Sequence, residues 1–222
     1  MLEQVIAEYN EAIFDTDRDR ALKIVHDAEM RGVSPEDIVF KVVLPAMDLM
    51  IKSISENLDA NLAQHFMTAQ IADAVTAEMI AKFKMAPEIT GRVVIGTAYE
   101  DMHSLGKRIV MGCLRARMID VKDLGVNVEP ERFVDEALAH NAEVIGISAM
   151  MVHTARGENG CLRVREILKE RGLESGIRII VGGAPFRYDQ DLYRRIGADA
   201  WAEDAVSAGK AIEDLILQVR KS

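Results

Sequence analysis

The sequence predicts an α/β protein in two parts: an all-helical N-terminal half, then an open sheet of five parallel strands with helices between them. Two patterns predict this. Residues 1–85 repeat apolar side chains at helical spacing and show no strand alternation. From Gly91 onward, short runs rich in Val and Ile alternate with amphipathic helical patterns, the signature of successive βαβ units. A third observation bears on function. The stretch Asp101-Met102-His103-Ser104-Leu105-Gly106 lies between the first strand-like run and the first helix of the second part.

In the first half, Val5, Ile6, Ala12 and Ile13 mark one amphipathic helix, and Ala21, Leu22, Ile24, Val25 and Ala28 a second. Gly32 is placed to stop the second helix. Ser34-Pro35-Glu36-Asp37 starts the third, with Ser34 as N-cap, Pro35 at the first helical position and acids in the first turn. Pro45 should kink or split that helix. A fourth helix covers about Asp59 to Lys84, so the half reads as a four-helix bundle. The stretch from Ala86 to Gly91 is the linker, dividing a helical domain, 1–86, from an α/β domain, 87–222.

The second half has strand-like runs at Val93–Thr97, Asp120–Leu124, Val144–Ser148, Ile177–Val181 and Ala200–Trp201. Helical patterns fall at Leu105–Arg117, Pro130–His140, Glu158–Arg171, Asp189–Ile196 and Asp204–Arg220. A parallel sheet covered on both faces binds ligands beyond the carboxyl ends of its strands. The loops after the first, third and fourth strands all open on that edge.

Composition narrows the function classes. The 222 residues carry 27 basic and 36 acidic side chains, a net charge of −9, which argues against a protein that tracks nucleic-acid phosphates. Cys113 and Cys161 form no C-x-x-C pair and read as ordinary thiols of a reducing compartment. With no basic, apolar leader and no apolar run near ~18 residues, the cytoplasm is the expected location. The 12 methionines suit an irregular core or a large ligand, and most are expected in the helical core.

A carboxylate two residues before a histidine at a strand end can hold one ring nitrogen and leave the other for a metal. Asp101 and His103 are that pair. A histidine that merely braces the loop is the alternative. Gly106 either lets a bulky ligand approach or is a packing glycine. Ser148 ends a strand and could equally be a cap. Gly182 and Gly183 follow the fourth strand, where glycines also make ordinary turns. His153 reads as an exposed loop residue.

These loops carry a family resemblance. GTAYEDMHSLGKRIV at 96–110, GISAMM at 146–151 and VGGAP at 181–185 resemble, in order, the D-x-H-x-x-G, S-x-L and G-G motifs of corrinoid methyltransferase proteins, a family shared in part with methionine synthase. The likeness is specific from about Gly91 and looser over residues 1–88. It implies a flavodoxin-like, Rossmann-like fold that binds cobalamin, with the nucleotide tail released from cobalt and buried in the sheet. His103 would then be the metal ligand, with Asp101 as its hydrogen-bond partner. Met102, Ser104, Leu105, Gly106, Ser148, Met150, Val152, Thr154, Gly182 and Gly183 would complete the cofactor site. The chain departs from the pattern in places. Met150 replaces the usual leucine, a volume-conserving change. Val152 replaces a threonine and loses its hydrogen bond. Thr154 aligns with the hydroxyl residue that extends the histidine–aspartate pair in methionine synthase.

In the family the helical domain covers the upper corrin face. LPAMDLM at 44–50 is similar to the family's L-I-P-G-M-D, but Asn61–Thr68 lacks the usual cap proline. His65 falls near the upper-ligand histidine of cobalamin photoreceptors, while Ile54 and Gln64 stand where that pattern has tryptophan and glutamate.

The resemblance implies a corrinoid methyl carrier working with partner methyltransferases, not a self-sufficient enzyme, and assigns no catalytic acid–base residue. The alternative is a cobalamin-dependent sensor or storage protein. An adenosylcobalamin mutase small subunit is opposed by residues 1–88, and a cofactor-free flavodoxin-like protein by the three ordered loops. Nucleic acid and membrane are not expected partners. Whether the chain forms a homodimer is left open by the sequence.

Overall fold

The structure is a computed structural model describing residues 2–57, 62–83, 88–157 and 159–221. The chain divides into two compact units. One comprises residues 1–88 together with 112–118, and the other residues 89–111 and 119–222.

In the helical unit, α1 (Leu2–Phe14) buries Val5, Tyr9, Ala12 and Ile13, one stripe at helical spacing. The next helix, α2 (Arg18–Met30), buries Ala21, Val25 and Ala28, and its N-cap Asp17 accepts the Arg20 N–H. Ser34 caps α3 (Pro35–Asp37) by accepting the Asp37 N–H at 3.1 Å. Pro45 does not interrupt the helical run. Residues Ile38–Val43 wind as a π-helix and lead directly into α4 (Leu44–Asn57). Leu44 N–H there bonds Val39 C=O, five residues back. Proline has no N–H and its ring crowds the preceding turn, so a wider turn just upstream accommodates it. The last helix of this unit is α5 (Leu62–Ile80). Within it, the Gln64 side chain donates to the Phe14 carbonyl at 2.8 Å. Met47, Met50 and Met79 are buried here, whereas Met30, Met102 and Met150 are exposed, so the helical core does not take most of the methionines. The expected helix start at Asp59, its end at Lys84, and Ala86–Pro87 of the linker lie outside the described residues.

The α/β unit holds β1 (Gly91–Thr97), β2 (Ile119–Asp123), β3 (Val144–Ser148), β4 (Arg178–Gly182) and β5 (Ala200–Ala202), all parallel, in the order β2-β1-β3-β4-β5. Val and Ile fill the strands because both faces are covered. Phe133, Ile145, Ile147, Ile167, Leu168, Val181 and Phe186 belong to the core cluster. Crossovers are α6 (Leu105–Ala116), α7 (Pro130–His140), α9 (Cys161–Glu170) and α11 (Leu192–Arg195), and α12 (Ala205–Lys221) follows β5. Two short helices have no counterpart in the sequence reading: α8 (Val152–Arg156) and α10 (Ala184–Tyr188). With five residues each they are too short to show a period. The helix expected from Glu158 begins at Cys161, and Glu158 lies outside the described residues.

From β1 the chain crosses to β2 on one side, and from β2 it returns past β1 to β3 on the other side. The loops after β1 and β3 therefore diverge at the topological switch point, where open sheets bind ligands. Strand register puts Thr97 level with Ser148, and Ser148 level with Gly182. All three motif loops thus leave the sheet at the same height.

Candidate functional site

Asp101 is the centre of the site. It is wholly buried, at 0% exposure, whereas the His103 side chain is 55% exposed. Its carboxylate takes four hydrogen bonds. Oδ1 accepts the His103 backbone N–H at 3.0 Å and the His103 ring at Nδ1, 2.7 Å away. Oδ2 accepts the Met150 N–H at 2.7 Å and the Thr154 hydroxyl at 3.1 Å. The Thr154 hydroxyl also lies 2.9 Å from the Met151 carbonyl, so one proton serves two acceptors. Burial by itself would raise the Asp101 carboxyl. The bonds from Met150 N–H, from His103 backbone and ring, and from Thr154 outweigh it and hold the group below the usual carboxylate range.

This decides the histidine's tautomer. An ionised carboxylate only accepts, so Nδ1 carries the proton and Nε2 keeps its lone pair. No hydrogen bond to Nε2 occurs among the described residues. The histidine loop is braced from behind as well. Thr97 Oγ1 donates to the His103 carbonyl at 2.9 Å.

Apolar side chains stand open on the two loops that Asp101 joins. Met102 is 69% exposed, Leu105 39%, Met150 49% and Val152 56%. Solvated methionine and valine beside a half-exposed histidine form an apolar floor, the kind of surface a large flat ligand covers.

The three glycines differ physically. Gly183 has φ of +119°, and a Cβ there would lie 2.0 Å from the Ala149 carbonyl, so backbone approach between the β3 and β4 loops requires glycine. Gly106 has nothing within 4 Å of where a Cβ would stand, and a Cβ on Gly182 would make ordinary contact with the Ala202 carbonyl at 3.4 Å. The chain's own packing does not require Gly106. The Ser148 hydroxyl, at the end of β3, has no hydrogen-bond partner among the described residues. Ser104 is half-buried, and its carbonyl accepts Arg108 N–H at the start of α6.

The structure thus brings Asp101, His103, Met150 and Thr154 into one network, with Ser148 and Gly182 level at the strand ends. His153 lies apart from it, lining a cleft of about 190 Å³ with Tyr99, Glu100, Thr154, Gly157, Asn159 and Gly160. The side chains of His65 and Ile54 lie outside the described residues. Sequence reasoning missed Thr97 and Asn127. Asn127 donates its N–H to the Asp101 carbonyl at 2.9 Å and accepts the Glu100 N–H at 2.8 Å. The only local cue is the Gly-x-Asn spacing after β2, a common setting for left-handed backbone.

The model of the B12 binding domain matches residues 91–209. A dimethylamine corrinoid protein of Methanosarcina barkeri is 32% identical over 96% of this chain and 98% of its own length. Trimethylamine corrinoid protein 1 of Methanosarcina acetivorans is 30% identical over 97% and 98%. Among solved structures, the methanol:cobalamin methyltransferase complex of Methanosarcina barkeri superposes with a TM-score of 0.76 at 24% identity, covering 98% of this chain and 84% of that one. A cobalamin-binding protein of Desulfitobacterium hafniense superposes with a TM-score of 0.73 at 20% identity, over 96% of this chain and 98% of that one. Both superpositions concern the fold.

Proposed function

The chain belongs to the corrinoid proteins that carry a B12 binding domain, and from that premise we propose that it is a methyl carrier that binds cobalamin through His103 and serves partner methyltransferases. The observation that carries this reading is the half-exposed imidazole whose Nδ1 is taken up by a buried carboxylate while Nε2 has no hydrogen bond among the described residues. Among the described residues no cluster of three or more His, Cys, Asp or Glu could cage a bare ion. A corrinoid brings its own metal and would need one nitrogen from the protein, which His103 would supply.

When bound, the corrinoid supplies a cobalt nucleophile that takes a methyl group from one partner's substrate and yields it to the next acceptor. The chain's own residues set the conditions. Asp101 holds the Nδ1 proton, fixes the ring orientation and makes Nε2 a better donor. Met150 N–H and the Thr154 hydroxyl keep that carboxylate anionic and still. Met102, Leu105, Met150 and Val152 give the macrocycle an apolar floor. Ser148 offers an unused hydroxyl to the tail, and Gly106, Gly182 and Gly183 keep its route clear. We infer a donor of the methylamine class, because the relatives at 30–33% identity are dimethylamine and trimethylamine corrinoid proteins. No helix among the described residues is long and apolar enough to cross a membrane. We propose a cytoplasmic location, because Cys113 and Cys161 are both buried and neither is in a disulfide.

The test is electron paramagnetic resonance of the protein loaded with cobalamin in the cobalt(II) state, with ¹⁵N introduced only in histidine. Nitrogen splitting should change with the label and vanish in His103→Ala. Splitting indifferent to the histidine label refutes the ligation.

A further inference from the structure

The histidine loop is gripped on two sides, and only one grip is the Asp101 carboxylate. The other comes from the β2–α7 loop. Thr97 N–H donates to the Gly125 carbonyl at 3.0 Å and Val128 N–H to the Thr97 carbonyl at 3.0 Å, extending the pairing past the end of β2. Asn127 lies between these contacts and brackets the Glu100–Asp101 dipeptide, from the Glu100 N–H to the Asp101 carbonyl. Its side-chain oxygen accepts the Glu100 N–H at 2.8 Å, and its own N–H donates to the Asp101 carbonyl at 2.9 Å.

That peptide needs holding. Asp101 N–H closes a turn onto the Ala98 carbonyl at 3.1 Å, and Glu100 within the turn has φ of +62°. A non-glycine residue in left-handed conformation persists only where its surroundings enforce it. Asn127 is itself left-handed, at φ of +52°, a conformation that asparagine tolerates better than most residues.

We propose that Asn127 is a positioning residue for His103: by bracketing the two residues Glu100 and Asp101 it sets where the Asp101 carboxylate, and through it the His103 ring, stands. The proposal rests on the His103 reading above. Asn127 acts through the loop and bonds neither His103 nor the cofactor. Its geometry separates two contributions that substitutions can divide. Asn127→Gly keeps the left-handed backbone and the N–H but removes the acceptor. Asn127→Asp keeps an acceptor oxygen and tolerates the conformation. Asn127→Ala removes the acceptor and adds backbone strain.

Two readouts test this. In the cofactor-free protein, amide hydrogen exchange at Glu100 should quicken about fivefold in Asn127→Gly, the loss of one ordinary hydrogen bond, and stay near the parent rate in Asn127→Asp. In the cobalamin-loaded protein, the cobalt(II) spectrum with ¹⁵N-histidine should show the ratio of histidine-bound to histidine-free cobalt falling by about fivefold in Asn127→Gly and further in Asn127→Ala, with recovery in Asn127→Asp. Unchanged exchange at Glu100, or an unchanged histidine signal in both Gly and Ala variants, overturns the proposal. If Asn127→Ala does not fold, the Gly and Asp pair decides. If the parent protein shows no histidine signal, the ligation reading fails by itself, and altered Glu100 exchange still tells whether Asn127 holds the loop.

Discussion

Gly106→Ala separates what the polypeptide needs from what its ligand needs. Gly106 is the second residue of α6, and nothing lies within 4 Å of a Cβ built there. The added methyl meets no protein atom. Alanine is a better helix residue than glycine by up to about 1 kcal/mol in helix interiors, and in the first turn roughly half of that is a fair expectation. The cofactor-free variant should therefore be as stable as the parent or up to ~0.5 kcal/mol more stable, about 1–2 °C in melting temperature for a chain of this size. Binding should move the other way. If the corrinoid tail passes over this position, a methyl group intrudes on a fitted contact at a cost of ~1–3 kcal/mol, or about 5- to 150-fold in Kd. The measurements are thermal unfolding of the cofactor-free protein and titration with cobalamin, followed by quenching of Trp201, the single tryptophan. Unchanged affinity removes Gly106 from the ligand's route. A cofactor-free variant destabilised by 1 kcal/mol or more refutes the packing argument.

Gly183→Ala should behave in the opposite sense: with φ of +119° and a Cβ 2.0 Å from the Ala149 carbonyl, it should cost roughly 3 kcal/mol or more before any ligand is added, measured by chemical denaturation. Thr154→Val removes a hydroxyl from the buried Asp101 Oδ2 at nearly constant shape and should cost about 1–3 kcal/mol, with Thr154→Ser recovering most of it in the same assay. Burial pushes the Cys161 thiol up to about 12, so native protein should resist alkylation there at pH 9 while unfolded protein reacts. The sign for stability follows, because the folded state keeps a proton that the unfolded thiol loses. This contribution is intact below pH ~8.5 and is lost above it at up to ~1.4 kcal/mol per pH unit, until the folded thiol itself ionises. A flat stability profile between pH 8.5 and 10 in the parent, indistinguishable from that of Cys161→Ala, would contradict the burial argument.

The chain's local chemistry determined a great deal. Period-2 and period-3.6 patterns separate strands from helices whenever an element is long enough to repeat, which is why β3 and α7 fall at the residues expected of them. The pairing of Asp101 with His103 was legible because the two residues are neighbours in sequence, and a short loop leaves them little choice. Other features depend on which strands become neighbours. Asp101 meets Met150 and Thr154, and Asn127 meets Glu100, because β1 lies between β2 and β3, a sheet order that no local pattern specifies. The same placement makes one glycine sterically obligatory at 183 and, among the described residues, leaves open space where a Cβ would stand at 106. Pro45 announced a perturbed helix, but whether the helix would break or widen rested on the packing around Ile38–Val43, where Ile38, Val39, Val42 and Val43 are all buried. Hydrophobic periodicity is written along the chain, whereas the hydrogen bonds that hold Asp101 and His103 cross between loops that only the folded sheet brings to one edge.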